Sequence, residues 1–144
     1  MTNNVTEEFE KMTKDLTGSK YAIGVSNATS ALQLSLKSLG IGKGDEVIIP
    51  DITFVATANA VLFTGATPVL ADVNEDDLNI SINSIDKNIT KKTKAIVPVH
   101  FAGSIAFFCQ NEIREVAEEL NFRVGNFERR PIEGLVSFHT NKKA

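Results

Sequence analysis

A single cysteine, Cys109, in a chain of 144 residues leaves no intrachain disulfide and no cysteine-rich zinc site. Two histidines, His100 and His139, are too few to argue a metal centre. Positive charge is not in excess: 15 Lys and Arg against 18 Asp and Glu give a formal net charge of −3. That balance argues against a nucleic-acid binder, which works by neutralising phosphates. The densest basic group, Lys91, Lys92 and Lys94, reads as a solvated loop or helix end. No apolar run approaches the roughly 20 residues that a membrane helix needs. Residues 1–9 are polar and acidic, unlike a secretory signal. A reducing, cytoplasmic setting is the default expectation. Neither a GxGxxG nor a P-loop motif occurs, which disfavours a plain nucleotide-binding domain.

What is present fits an ordinary soluble domain with its own core: 42% of residues are hydrophobic and 23% charged. Val5, Phe9, Met12 and Leu16 recur at helical spacing over 5–16, ended by Gly18. Tyr21 to Val25 is a short apolar run that predicts a strand. A helix follows with Ala28, Leu32, Leu36 and Leu39 on one face and Gly40 as its stop. Strands are then expected at Glu46–Ile49, Pro68–Val73, Ala95–Val99 and from Phe122. Helices are expected over 53–64, 81–89 and 112–120, and Leu135 to Phe138 suggests one more strand. Alternating elements with continuous apolar strands imply an α/β fold, a mostly parallel sheet with helices on both faces. Ligands of such sheets bind beyond the carboxyl ends of the strands. There is no internal repeat. After Val124 the period is lost, so the expected division is 1–124 against an irregular tail, 125–144.

Ser26, Asn27, Ala28 and Thr29 form a small polar turn between an apolar run and a helix. Unpaired N–H groups at a helix N-terminus, with the helix dipole, favour an anion there. Small polar residues also open many helices simply as caps, so the turn alone leaves both readings open.

The run VSNATSALQLSLKSLGIGKGDEVIIPDITFVATANAVLFTGATPVLADV, with the later TKKTKAIVPVHFAG, resembles the DegT/DnrJ/EryC1/StrS aminotransferases over about residues 20–104. These are fold-type-I enzymes that use pyridoxal 5'-phosphate to aminate keto groups on nucleotide-linked sugars. The wording VPVHFAG is most similar to the branch that aminates the C4 keto group of UDP-linked amino sugars, the UDP-4-amino-4,6-dideoxy-N-acetylaltrosamine transaminase type. The resemblance implies a fold-type-I large domain and a cofactor phosphate held by Ala28, Thr29 and Ser30. It also implies a pyridine ring stacked on Phe54, of the family's TF pair Thr53–Phe54. A flat apolar ring excludes water and sets the cofactor's tilt, although on spacing alone Phe54 reads as helix core. Thr57 and Asn59 are candidates for the sugar pocket. Asp72 matches a family acidic residue of structural role, and His100 is either structural or a substrate contact. The closing SFHTNKKA resembles SFHPVK, which makes Lys142 the candidate Schiff-base lysine and Ser137 a candidate phosphate ligand; the other reading is a solvated basic tail.

The sequence also departs from the family pattern. The strand Phe122–Val124 runs into GNFERRPIE, where the family carries an acidic EDAA motif supplying the carboxylate for the pyridinium nitrogen. Glu128 and Glu133 stand in no matching motif. The expectation is an internally deleted and truncated aminotransferase, active or remnant. By resemblance it takes a nucleotide-sugar substrate and a glutamate donor and works as a homodimer or beside a full-length relative. The alternative is a non-catalytic domain that binds a phosphorylated ligand or dimerises.

Overall fold

The computed structural model of the chain describes residues 3–104 and Ala106. Helix α1, Asn3–Thr17, presents Val5, Phe9, Met12 and Leu16 along one face, and all four are more than half exposed. Gly18 ends it with a positive φ of 70°, its N–H donating to the Lys14 carbonyl at 2.8 Å.

The expected strand at Tyr21–Val25 does not form. A strand needs a neighbour to take its N–H and C=O groups, and no described strand runs beside this one. Tyr21 and Ile23 stay open to solvent. The Gly24 N–H donates instead to Glu10 Oε1 on α1, at 2.7 Å.

Helix α2, Ala28–Ser38, ends in a Schellman arrangement. Gly40 takes the left-handed position, φ 78°, while its N–H reaches the Lys37 carbonyl and the Ile41 N–H reaches that of Leu36. Ile41 and Leu36 are then buried in one cluster, the apolar contact that accompanies this stop.

Three strands follow: β1, Glu46–Pro50; β2, Thr67–Ala71; β3, Thr93–Ile96. They form a parallel sheet in the order β2-β1-β3. Between them lie α3, Ala56–Leu62, and α4, Ile82–Asn88. Alternate side chains of the central β1 serve opposite faces. Val47 and Ile49 pack with Leu36, Ala60 and Val61 from α2 and α3. Ile48 packs with Ile80, Ile85 and Ala71, on the α4 side. Helices thus cover both faces, as the continuous apolar strand implied.

Boundaries shift for local reasons. Parity along β1 puts the nitrogen of Pro50 on the β3 side, because Ile48, two residues earlier, accepts the Val97 N–H there at 2.9 Å. The missing donor of Pro50 falls where β3 has already ended. Asp51, facing β2, continues that ladder to the Ala71 carbonyl at 2.9 Å. Strand β3 stops short of the expected Val99; Pro98 has no N–H to extend it. Strand β2 stops at Ala71, and Val73 instead bridges Ile80 in antiparallel fashion. Among the described residues no helix is long and apolar enough to cross a membrane, and no cluster of three His, Cys, Asp or Glu could hold a metal. The helix expected at 112–120, the strands expected after it and the boundary at 124 lie outside the described residues.

Candidate cofactor site

In a parallel sheet every strand ends at the same edge. Phe54 follows β1, Asp72 follows β2 and His100 follows β3, so all three leave the sheet at its carboxyl edge. Helix α2 descends to the start of β1 through the short 39–45 loop and packs against α3. Its N-terminus therefore stands at that edge too. The topology brings Ala28, Thr29 and Ser30 to the end of the sheet from which Phe54 projects.

The turn is built by Asn27. Its backbone is extended, and its Oδ1 accepts the Ser30 N–H at 2.9 Å. Its Nδ2 donates to Ser26 Oγ at 3.2 Å. The Asn27 carbonyl accepts the Ala31 N–H at 3.1 Å, the first bond of the helix. The amides of Ala28 and Thr29 have no carbonyl one turn back to donate to. Ala28 is exposed and Thr29 and Ser30 half-buried. The cap reading of the turn is realised, with Asn27 holding the Ser30 amide; the amides of Ala28 and Thr29 precede the first intrahelical bond and are left for another acceptor.

Phe54 is not helix core. It sits in the loop before α3, 77% exposed, and α3 begins two residues later than it. The expected helix 53–64 is shortened at its start because Thr53 and Thr57 pair their hydroxyls at 2.9 Å and the Phe54 carbonyl accepts the Thr57 N–H. Thr57 is buried, with its hydroxyl paired to that of Thr53. Asn59 is half-buried within α3. Asp72 is exposed, its Oδ1 accepting the Val73 N–H, while its own N–H goes to Ser84 Oγ. That is a turn-forming role.

The 97–104 loop is held by a residue that the sequence reading did not single out. Asn79 is 1% exposed. Its Oδ1 accepts the Phe101 N–H at 3.2 Å, and its Nδ2 donates to Asp77 Oδ2 at 3.0 Å and to Ser104 Oγ at 3.4 Å. The hydrogen bonds from the Asn79 side chain and then its backbone hold the Asp77 carboxyl below the usual carboxylate range. His100 is half-buried, and burial lowers its pKa. Its Nδ1 accepts the Ala106 N–H at 3.1 Å, so the neutral ring carries its proton on Nε2. Lys142 and Ser137 lie outside the described residues.

The model of the DegT/DnrJ/EryC1/StrS aminotransferase family matches residues 1–125, and the chain belongs to that family. Among curated relatives it is 50% identical over 97 residues to the spore coat polysaccharide biosynthesis protein SpsC of Bacillus subtilis (strain 168), covering 67% of this chain and 25% of that one. It is 46% identical over 117 residues to the GDP-perosamine synthase of Caulobacter vibrioides, covering 81% and 31%. The chain thus spans a quarter to a third of the length of these relatives. Among solved structures, an aminotransferase from Psychrobacter cryohalolentis superposes with a TM-score of 0.79 at 41% identity, covering 85% of this chain and 30% of that one. NtdA from Bacillus subtilis, solved with bound pyridoxamine phosphate, superposes at 0.80 with 35% identity, covering 85% and 28%.

The family's cofactor is pyridoxal 5'-phosphate, and the described residues fit two parts of it. A phosphate needs outward-facing amides at a helix N-terminus, which Ala28 and Thr29 provide beside the hydroxyls of Thr29 and Ser30. A pyridine ring needs a flat apolar face open to it, and Phe54 is such a face at the same sheet edge.

Proposed function

We propose that this chain forms the cofactor-holding N-terminal part of a pyridoxal-phosphate-dependent aminotransferase acting on nucleotide-linked keto-sugars, in the making of cell-surface polysaccharide or glycan. The observation that carries the reading is that the α2 N-terminus and the exposed Phe54 stand at the same edge of the parallel sheet. The perosamine synthase and the spore coat polysaccharide protein support the sugar class.

The bound cofactor supplies an electron-withdrawing ring that stabilises negative charge on the carbon bearing the transferred nitrogen. The chain's own residues hold and orient. The Ala28 and Thr29 amides and the Thr29 and Ser30 hydroxyls bind the phosphate. Phe54 covers one face of the ring and keeps water from it. Lys142 is the residue we assign to covalent attachment and proton movement, with Ser137 as a further phosphate ligand. Glutamate is the proposed amino donor, and a homodimer, or a pair with a full-length relative, is the proposed assembly.

The experiment is to add pyridoxal phosphate to the full chain, follow the absorbance of an imine, reduce with borohydride and map the modified peptide by mass spectrometry. A stoichiometric adduct at Lys142 supports the enzyme. Adducts scattered over surface lysines refute it and leave the second reading, a non-catalytic phosphate-binding or dimerising domain. The apolar stripe exposed on α1 favours that second reading.

A further inference from the structure

The approach to the phosphate-binding turn is held from α1. Among the described residues, 20–25 join no strand. What does engage them is a charge-assisted bond: Glu10 Oε1 accepts the Gly24 N–H at 2.7 Å. The two surfaces also fit closely. A Cβ placed on Gly24 would lie 3.2 Å from Thr6 Cγ2 and 3.5 Å from Glu10 Oε1. The first distance is tighter than ordinary van der Waals contact. Gly24 is therefore pressed against the face of α1 that carries Thr6 and Glu10, one turn apart. Gly24 stands three residues before the cap Asn27, whose extended backbone leads directly into α2. Only Val25 and Ser26, where the chain bends, lie between Gly24 and Asn27, so a shift of Gly24 away from α1 reaches the turn within three residues.

We propose that Glu10 is a positioning residue for the phosphate-binding turn: by accepting the Gly24 N–H it fixes the approach to Asn27–Ser30 and so sets how tightly that turn holds a phosphate ester. This rests on the turn being a phosphate site. Glu10 itself is an anion and does not touch the ligand; its charge opposes a phosphate at long range. The hydrogen bond and the charge can be separated, because glutamine keeps an oxygen acceptor and loses the charge.

The test uses the full chain and pyridoxine 5'-phosphate, which carries the phosphate and ring without the aldehyde and so reports binding apart from covalent attachment or turnover. Binding is titrated by calorimetry, and the Thr29 and Ser30 amide shifts are followed by NMR. Glu10→Leu is expected to weaken binding about fivefold, the order expected for one hydrogen bond. Glu10→Gln is expected to stay within about twofold of the parent, since its amide oxygen still accepts. Gly24→Ala is expected to weaken binding through the contact with Thr6, and adding Thr6→Ser, which removes the offending methyl, to restore it. A general loosening of α1 would instead lower thermal stability in each variant without this pattern of loss and rescue. Parent-like binding by Glu10→Leu overturns the proposal. Should Glu10→Leu fail to fold, the Gly24→Ala and Thr6→Ser pair decides: loss without rescue, or no loss, overturns it. A parent chain with no saturable binding overturns the phosphate reading of the turn itself, a failure distinct from variants that all bind alike.

Discussion

If the proposed phosphate takes the Ser30 amide in addition to those of Ala28 and Thr29, it competes with the cap at Asn27, and removing the cap tests both. In the free protein the Ser30 N–H belongs to Asn27 Oδ1 at 2.9 Å. A phosphate that takes this amide must first displace the side chain, at a cost equal to the worth of the cap. An N-cap asparagine contributes about 1 kcal/mol over alanine. Asn27→Ala is therefore expected to destabilise the fold by about 1 kcal/mol, lowering Tm by about 3 °C for a chain of this length. The same change should strengthen binding of pyridoxine 5'-phosphate by up to about fivefold, since 1.4 kcal/mol is a factor of ten. The first helical bond, from the Ala31 N–H to the Asn27 carbonyl, is backbone and survives the substitution. Thermal unfolding measures the first effect and calorimetric titration the second. Lower stability with unchanged or weaker binding would refute the idea that Ser30 gives its amide to the ligand.

Other substitutions probe the rest of the site and the core. Phe54→Ala should change stability by no more than about 0.5 kcal/mol, because the ring is already exposed; it should weaken pyridoxine 5'-phosphate binding about fivefold, the worth of one aromatic stack. Ile48→Ala, fully buried in the central strand, should cost about 2–5 kcal/mol in urea unfolding, a large share of a domain's total stability. The burial of His100 implies a pH dependence. Its folded pKa lies below the unfolded value, the unfolded chain binds the proton more readily, and stability should fall as pH drops below 6.5. His100→Gln should remove that part of the slope between pH 7 and 5. Gly65→Ala should cost about 1 kcal/mol or more, since φ there is 90° and the new Cβ would rest 3.5 Å from the Lys43 nitrogen.

Most of the fold was legible because its cause is local. Glu46 to Ile49 reads as a strand buried on both sides, and, extended by Pro50, it is the centre of the sheet. Leu32, Leu36 and Gly40 mark α2 and its stop. Tyr21 to Val25 has the same apolar look as β1, yet strand formation depends on a partner elsewhere in the chain, which composition does not reveal. The start of α3 was misplaced because Thr53 and Phe54 fit a helical period; the hydroxyl pairing with Thr57 turns them into a loop. That misplacement is also why Phe54 reads as helix core on spacing alone, whereas the resemblance singles it out; its exposure makes it available to a ligand. The turn proposed to hold a phosphate is visible as small polar residues between an apolar run and a helix, and the family resemblance is what singles it out. Asn79 was missed because the second asparagine in VNEDDLN looks like any loop residue. Only the approach of Phe101 and Ser104 in space gives it three partners.

The strand order has a consequence for how this chain reaches its structure. Glu46 of the central strand pairs with Thr67 on one side and with Thr93 on the other. No hairpin joins any two of these strands, so each pairing must wait for a whole crossover helix to be in place. Closing such loops is entropically costly before any contact rewards it. During synthesis from the N-terminus, α2 and β1 emerge with an apolar strand that has nothing to pair with. Val47, Ile48 and Ile49 lack a strand partner until β2 arrives, and the three described strands are joined only when β3 has left the ribosome. The segment most buried in the finished protein is the one longest at risk of aggregation while the chain is being made.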